Sequence, residues 1–122
     1  MAFDPDLADR IRELTASESS LDEKRMFGGL AFLVNGNMAV AATREGGLMV
    51  RVSRDEGEKL MQRDHVEPMV MGGREMRGWL RIAAPGVKTK RQLQAWVGRG
   101  LEYAKSLPPK QFPGRRSESP LT

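Results

Sequence analysis

One imidazole, His65, and no cysteine are all this chain offers for metal ligation or thiolate chemistry. His65 precedes Val66-Glu67-Pro68 in a stretch without periodicity, so it reads as a solvated loop residue rather than a ligand. Nucleophilic catalysis needs a hydroxyl beside an oriented base. Ser53 and Thr89 precede helical patterns and read as caps. Of the carboxylate pairs, Asp22-Glu23 and Asp55-Glu56, the second falls in a first helical turn, where negative charge complements the dipole. Gly28-Gly29, Gly46-Gly47 and Gly72-Gly73 lack the lysine and the strand-to-helix setting of a phosphate loop. No catalytic, metal-binding or cofactor-binding set can be assembled. The expectation is a protein that is not an enzyme and holds no metal or cofactor.

What remains is recognition chemistry. Along Glu75–Ile82 the alternation puts Met76, Gly78, Leu80 and Ile82 on one face and Arg77, Trp79 and Arg81 on the other. An indole between two guanidiniums combines apolar area, cation–π geometry and anion affinity, which suits a docking surface. The bland alternative puts Trp79 under a helix or in a dimer seam, with the arginines at its rim. Arg25 shares parity with Phe27, which is expected to face inward, so its charge should be partly buried. It then needs either a distant carboxylate or an external anion. Lys88, Lys90, Arg91 and Arg99 form a candidate basic patch, since phosphate neutralisation needs only a density of cations.

The elements that must position these groups are legible from pattern. Asp4-Pro5 is a helix start, followed by Leu7, Ile11 and Leu14 on one stripe. Leu30, Phe32 and Val34 then alternate up to Asn35-Gly36, a type I′ hairpin turn, and Met38, Val40 and Ala42 return. Glu45-Gly46-Gly47 turns again into Leu48, Val50 and Val52. Lys24–Phe27 extends the first strand or adds another short one, with Gly28-Gly29 as a bulge or sharp bend. Ser53-Arg54-Asp55-Glu56 is a capping box for a second helix that buries Leu60 and Met61. Two strands around Gly72-Gly73 follow. Thr89 caps a last helix carrying Leu93, Trp96, Val97, Gly100, Leu101 and Ala104, which Pro108-Pro109 stops. The expected architecture is α+β: a two-layer domain over residues 1–107, an antiparallel sheet with helices packed on it, in the order α-β(3)-α-β(2)-α. Residues 108–122, rich in Pro, Ser and Arg, are expected to be a disordered tail. The methionines Met38, Met49, Met61, Met69, Met71 and Met76 are expected to serve as adaptable core packing.

Composition sets the outer limits. A chain of 122 residues is one domain by length. No apolar run approaches the ~20 residues that span a bilayer, and the start lacks the pattern of a signal peptide, so a cytoplasmic protein is expected. The net charge of +4 is uneven. Residues 1–70 carry 9 Lys/Arg against 13 Asp/Glu, and residues 71–122 carry 11 against 3. A basic half attracts phosphate or acidic partners, although many folded domains merely segregate charge.

The ordered set Arg25-Met26-Phe27-Gly28-Gly29, Asn35-Gly36, Met71-Gly72-Gly73, Gly78-Trp79 and Leu93…Trp96 resembles the TfoX/Sxy N-terminal domain family, over roughly residues 5–107. The resemblance implies the same two-layer fold. It also implies kinship with bacterial competence regulators that act with a cyclic-AMP-responsive transcription factor. Those regulators carry a second, helical domain, where this chain has its Pro/Ser/Arg tail. The expected function is a non-enzymatic protein-interaction domain with a regulatory role, working on a protein partner or as a homodimer. A small basic nucleic-acid-associated protein is the alternative.

Overall fold

The computed structural model describes residues 4–26, 28–44 and 46–109, and for Met71 and Arg77 the backbone alone. The expected tail therefore lies outside the described residues from 110 onward, as does Phe27. The described residues form three α-helices and six strands, the helices being α1 (Pro5–Leu14), α2 (Arg54–Leu60) and α3 (Lys90–Ser106). Six strands form one antiparallel sheet: β1 (Leu21–Met26), β2 (Gly29–Val34), β3 (Asn37–Ala42), β4 (Leu48–Arg51), β5 (Val66–Met71) and β6 (Arg74–Ile82). Their spatial order is β1-β2-β3-β4-β6-β5. The fold is α+β, as the pattern implied.

Local chemistry explains most boundaries. The Asp4 carboxylate accepts from the Asp6 N–H at 2.9 Å, with Pro5 opening α1. The Ser53 hydroxyl accepts from the Glu56 N–H at 3.1 Å and starts α2. At α3 the box is reciprocal, because the Thr89 hydroxyl accepts from Gln92 N–H and the Gln92 carbonyl accepts from Thr89 N–H. Asn35 and Gly36, at φ 53° and 83°, make the positive-φ turn between β2 and β3.

One count differs. Four strands precede α2, because Lys24–Arg25 belongs to a strand of its own that pairs with β2 from Leu21↔Val34 to Met26↔Gly29. Gly28, at φ 73°, closes that hairpin, so the double glycine is a reversal of the chain. Gly29 must also be small: a Cβ there would run into the Ala42 carbonyl.

The sheet has two unlike faces. The helices bring Leu7, Ile11, Leu60, Leu93, Trp96 and Val97 onto one of them, over Leu30, Phe32, Val40, Val50, Leu80 and Ile82. Burying each such side chain contributes about 1.5–3 kcal/mol, so this layer is the main source of stability. α3 packs tightly where Gly100 meets the Ala39 carbonyl, at an irregularity between Phe32 and Leu33 in the β2–β3 register. The other face carries a smaller cluster of Ala31, Leu33, Met38, Ala41 and Met49, which is buried although no described helical residue belongs to it. Half-buried Met26, Met69 and Trp79 pack around it.

Candidate functional site

Trp79 owes its position to the residue before it. Gly78 has φ 84°, and its carbonyl accepts from the Val52 N–H at 2.8 Å. A Cβ at Gly78 would stand 2.7 Å from the Val52 carbonyl oxygen, so neither space nor backbone admits another residue. The β5–β6 register jumps here, from Pro68↔Leu80 to Met69↔Met76. Beyond the bend, Trp79 pairs with Arg51 and Arg81 with Met49, which puts all four on the face away from the helices.

Trp79 is therefore not under a helix. It is half-buried at the margin of the second cluster, and the Arg51 guanidinium lies over its ring at 4.9 Å. The same guanidinium is 5.6 Å from the Tyr103 ring on α3, so one cation joins the sheet's second face to the last helix. Arg81, half-buried, lies across from Glu67 and borders a shallow pocket of about 140 Å³ with Thr43 and Ala84. Arg77 lies on the far side of the Gly78 bend, and its side chain is outside the described residues. The register jump interrupts simple alternation through Gly78.

The expectation of a partly buried Arg25 is corrected: Arg25 is exposed. Its strand, β1, is the sheet's edge, and the main sheet contacts of α2 and α3 fall on β2, β3, β4 and β6. The neighbouring carboxylate, Glu23, is held by Arg12 of α1 through two bonds of 2.7 and 2.9 Å, while Asp9 takes a third guanidinium nitrogen at 2.7 Å. Hydrogen bonding from Arg12 holds the Glu23 carboxyl below its ordinary range.

The candidate basic patch divides. Lys88, Lys90 and Arg91 are exposed around the start of α3, whose first turn has no acidic residue. Arg10 reaches the same place, donating to the carbonyls of Val87 and Lys88 at 3.0 and 3.1 Å. Arg99, farther along the helix, is half-buried on the Trp96 ring at 4.9 Å and faces Glu56 at 3.8 Å. Sequence reasoning missed Arg51 and Tyr103, which meet across a long separation in the chain. For Arg51 a signal existed: strand parity puts it with Met49, opposite Val50 and Val52.

Among the described residues no group of three or more His, Cys, Asp or Glu is placed to hold a metal ion. No helix among them is long and apolar enough to cross a membrane. What the fold and this face define is a small α+β domain with one sheet face covered by helices and the other bearing an arginine–tryptophan margin. The TfoX N-terminal domain family matches residues 13–104, and the chain belongs to that family. No curated protein matches it.

Proposed function

We propose that this chain is a non-enzymatic protein-interaction domain with a regulatory role in the cytoplasm, and that it pairs with a second copy of itself through the sheet face away from the helices. The carrying observation is the ring of half-buried Met26, Met69 and Trp79 around the buried cluster of Ala31, Leu33, Met38, Ala41 and Met49. The accessible part of this face is that ring, one indole and two flexible thioethers with Arg51 and Arg81 beside the indole, a composition enriched at interfaces. Both borders carry mixed charge, Asp22 and Lys24 on β1 and Glu67 and Arg81 on β5 and β6. Opposite signs at each border favour a self-complementary contact over a partner of uniform charge. Family membership supports the regulatory part of the reading.

Sedimentation velocity at about 10–100 μM tests it, since that range brackets weak dimers. The native chain should sediment as a dimer, and Trp79→Ala should shift it towards monomer with helix content kept. A monomeric native chain would overturn self-pairing. The second reading, nucleic-acid binding, is favoured by exposed Lys88, Lys90 and Arg91. It requires affinity for an oligonucleotide that falls about a thousandfold between roughly 50 and 200 mM salt if some six phosphates are contacted.

A further inference from the structure

The connector between α2 and β5, the turn Ala84–Val87 and α3 enclose a groove of about 310 Å³, separate from the arginine–tryptophan face. Arg63, His65, Gln92 and Arg99 line it, with buried Gly86 and Trp96 as its floor. Asp64 is the single carboxylate among the lining residues.

Each polar group is set by a structural constraint. His65 has φ 68°, a conformation few non-glycine residues adopt, and its carbonyl is tied by the Ala83 N–H at 2.8 Å. Gly86 packs so closely that a Cβ there would lie 3.1 Å from the His65 Cβ, which fixes the connector against the turn. Gln92 spends its carbonyl oxygen on the Thr89 N–H at 2.9 Å, which leaves the two amide N–H donors for the groove. Arg99 forms an ion pair with Glu56 at 3.8 Å, too long for a hydrogen bond, and its Nη1 is shielded from solvent with no acceptor among the described residues. A guanidinium nitrogen in that state is costly, and an oxyanion that drew the side chain off the indole would satisfy it.

We propose that this groove binds a phosphate group, free or carried on a small ester, between Arg63, Gln92 and Arg99. Two guanidiniums, an imidazole and an amide offer more donors than a planar carboxylate can accept, whereas a phosphate presents three oxygens as an ester or four when free, and up to two charges. The volume lies at the lower end of the ~300–1,000 Å³ typical of small-molecule sites. The site neither uses Trp79 nor depends on self-association, so its test is independent of the interaction reading.

The test is a titration of the isotope-labelled chain at low salt with inorganic phosphate, ribose 5-phosphate and ribose, followed by backbone and indole N–H shifts. Either phosphate should move residues 63–65, 86 and 92–99 saturably, and ribose should not. Tighter binding of ribose 5-phosphate assigns an ester as the ligand, and equal binding assigns free phosphate. Arg63→Gln, at an exposed position, and Arg99→Gln should each weaken binding about tenfold or more. Arg63→Gln keeps the test valid if Arg99→Gln fails to fold. The proposal is overturned by no saturable shift up to about 10 mM ligand, by shifts centred on Lys88, Lys90 and Arg91, or by affinity unchanged in Arg63→Gln. An oligonucleotide that binds where neither small phosphate does would also overturn it.

Discussion

Arg51 occupies the last position of β4, where its guanidinium meets Trp79 on one side and Tyr103 on the other. A half-buried cation–π pair contributes about 0.5–2 kcal/mol, and here two rings share one cation. Arg51→Gln should therefore lower the melting temperature by a few degrees and alter the near-ultraviolet signal of the aromatic residues, while Arg51→Lys should lose only part of it. An unchanged melt in Arg51→Gln would show the stacking to be incidental. Glu23 makes a second residue-scale prediction. Its folded carboxyl titrates below its unfolded value because Arg12 hydrogen-bonds it. Its stabilising contribution is thus complete above the unfolded carboxylate value of about 4.3 and is lost as pH falls through the lower folded value. With both partners more than a third exposed, it amounts to no more than about 1 kcal/mol. Glu23→Gln should melt earlier than the native chain at neutral pH, and the gap should close in acid. A gap that persisted undiminished in acid would show that the residue acts by packing.

Among the elements, α3 gives the sharpest contrast, because two of its glycines stand in opposite environments. A Cβ at Gly98 would meet open space, whereas one at Gly100 would run into the Ala39 carbonyl and stand 2.8 Å from the Val40 Cγ1. Gly98→Ala should stabilise by about 0.5–1 kcal/mol through backbone entropy. Gly100→Ala should destabilise by about 1–3 kcal/mol as α3 is lifted from β3. Denaturant midpoints of the two variants settle this, and equal signs would refute the close approach. The same helix shows what its sequence makes visible: the period of Leu93, Trp96, Val97 and Ala104 and the Thr89 cap are local signals, and all are borne out. The β2–β3 turn was legible for the same reason, since Asn-Gly encodes its own positive φ. β1 was less so, because alternation cannot distinguish a strand extended through Gly28 from one reversed there. Arg25 was misplaced because parity gives a residue's face but not whether a helix covers it. The jump at Pro68/Met69 and the pairing of β4 with β6 are non-local, so neither could be read from alternation along a single strand.

At the scale of the whole molecule, the open question is whether the two sheet faces are one cooperative unit. The helix-covered layer and the smaller Ala31, Leu33, Met38, Ala41 and Met49 cluster share the backbones of β2, β3 and β4. β2 and β3 are buried along their whole length. Residues adjacent in the chain alternate between the two clusters, so loosening one face must displace strands that carry the other. Val70, at 55 %, is the exposed large apolar side chain among the described residues, so the second face is a packed margin and not a bare patch. A truncation on that face should accordingly be felt throughout. Met49→Ala, 2 % exposed in the native fold, should cost about 2–4 kcal/mol of global stability, with the denaturant slope unchanged. Amide exchange in α3 should accelerate by the same factor as exchange in β3 and β4, although no α3 residue belongs to that cluster. If exchange instead quickened in the strands while α3 kept its protection, the faces would be separable, and the second could rearrange on binding without disturbing the first.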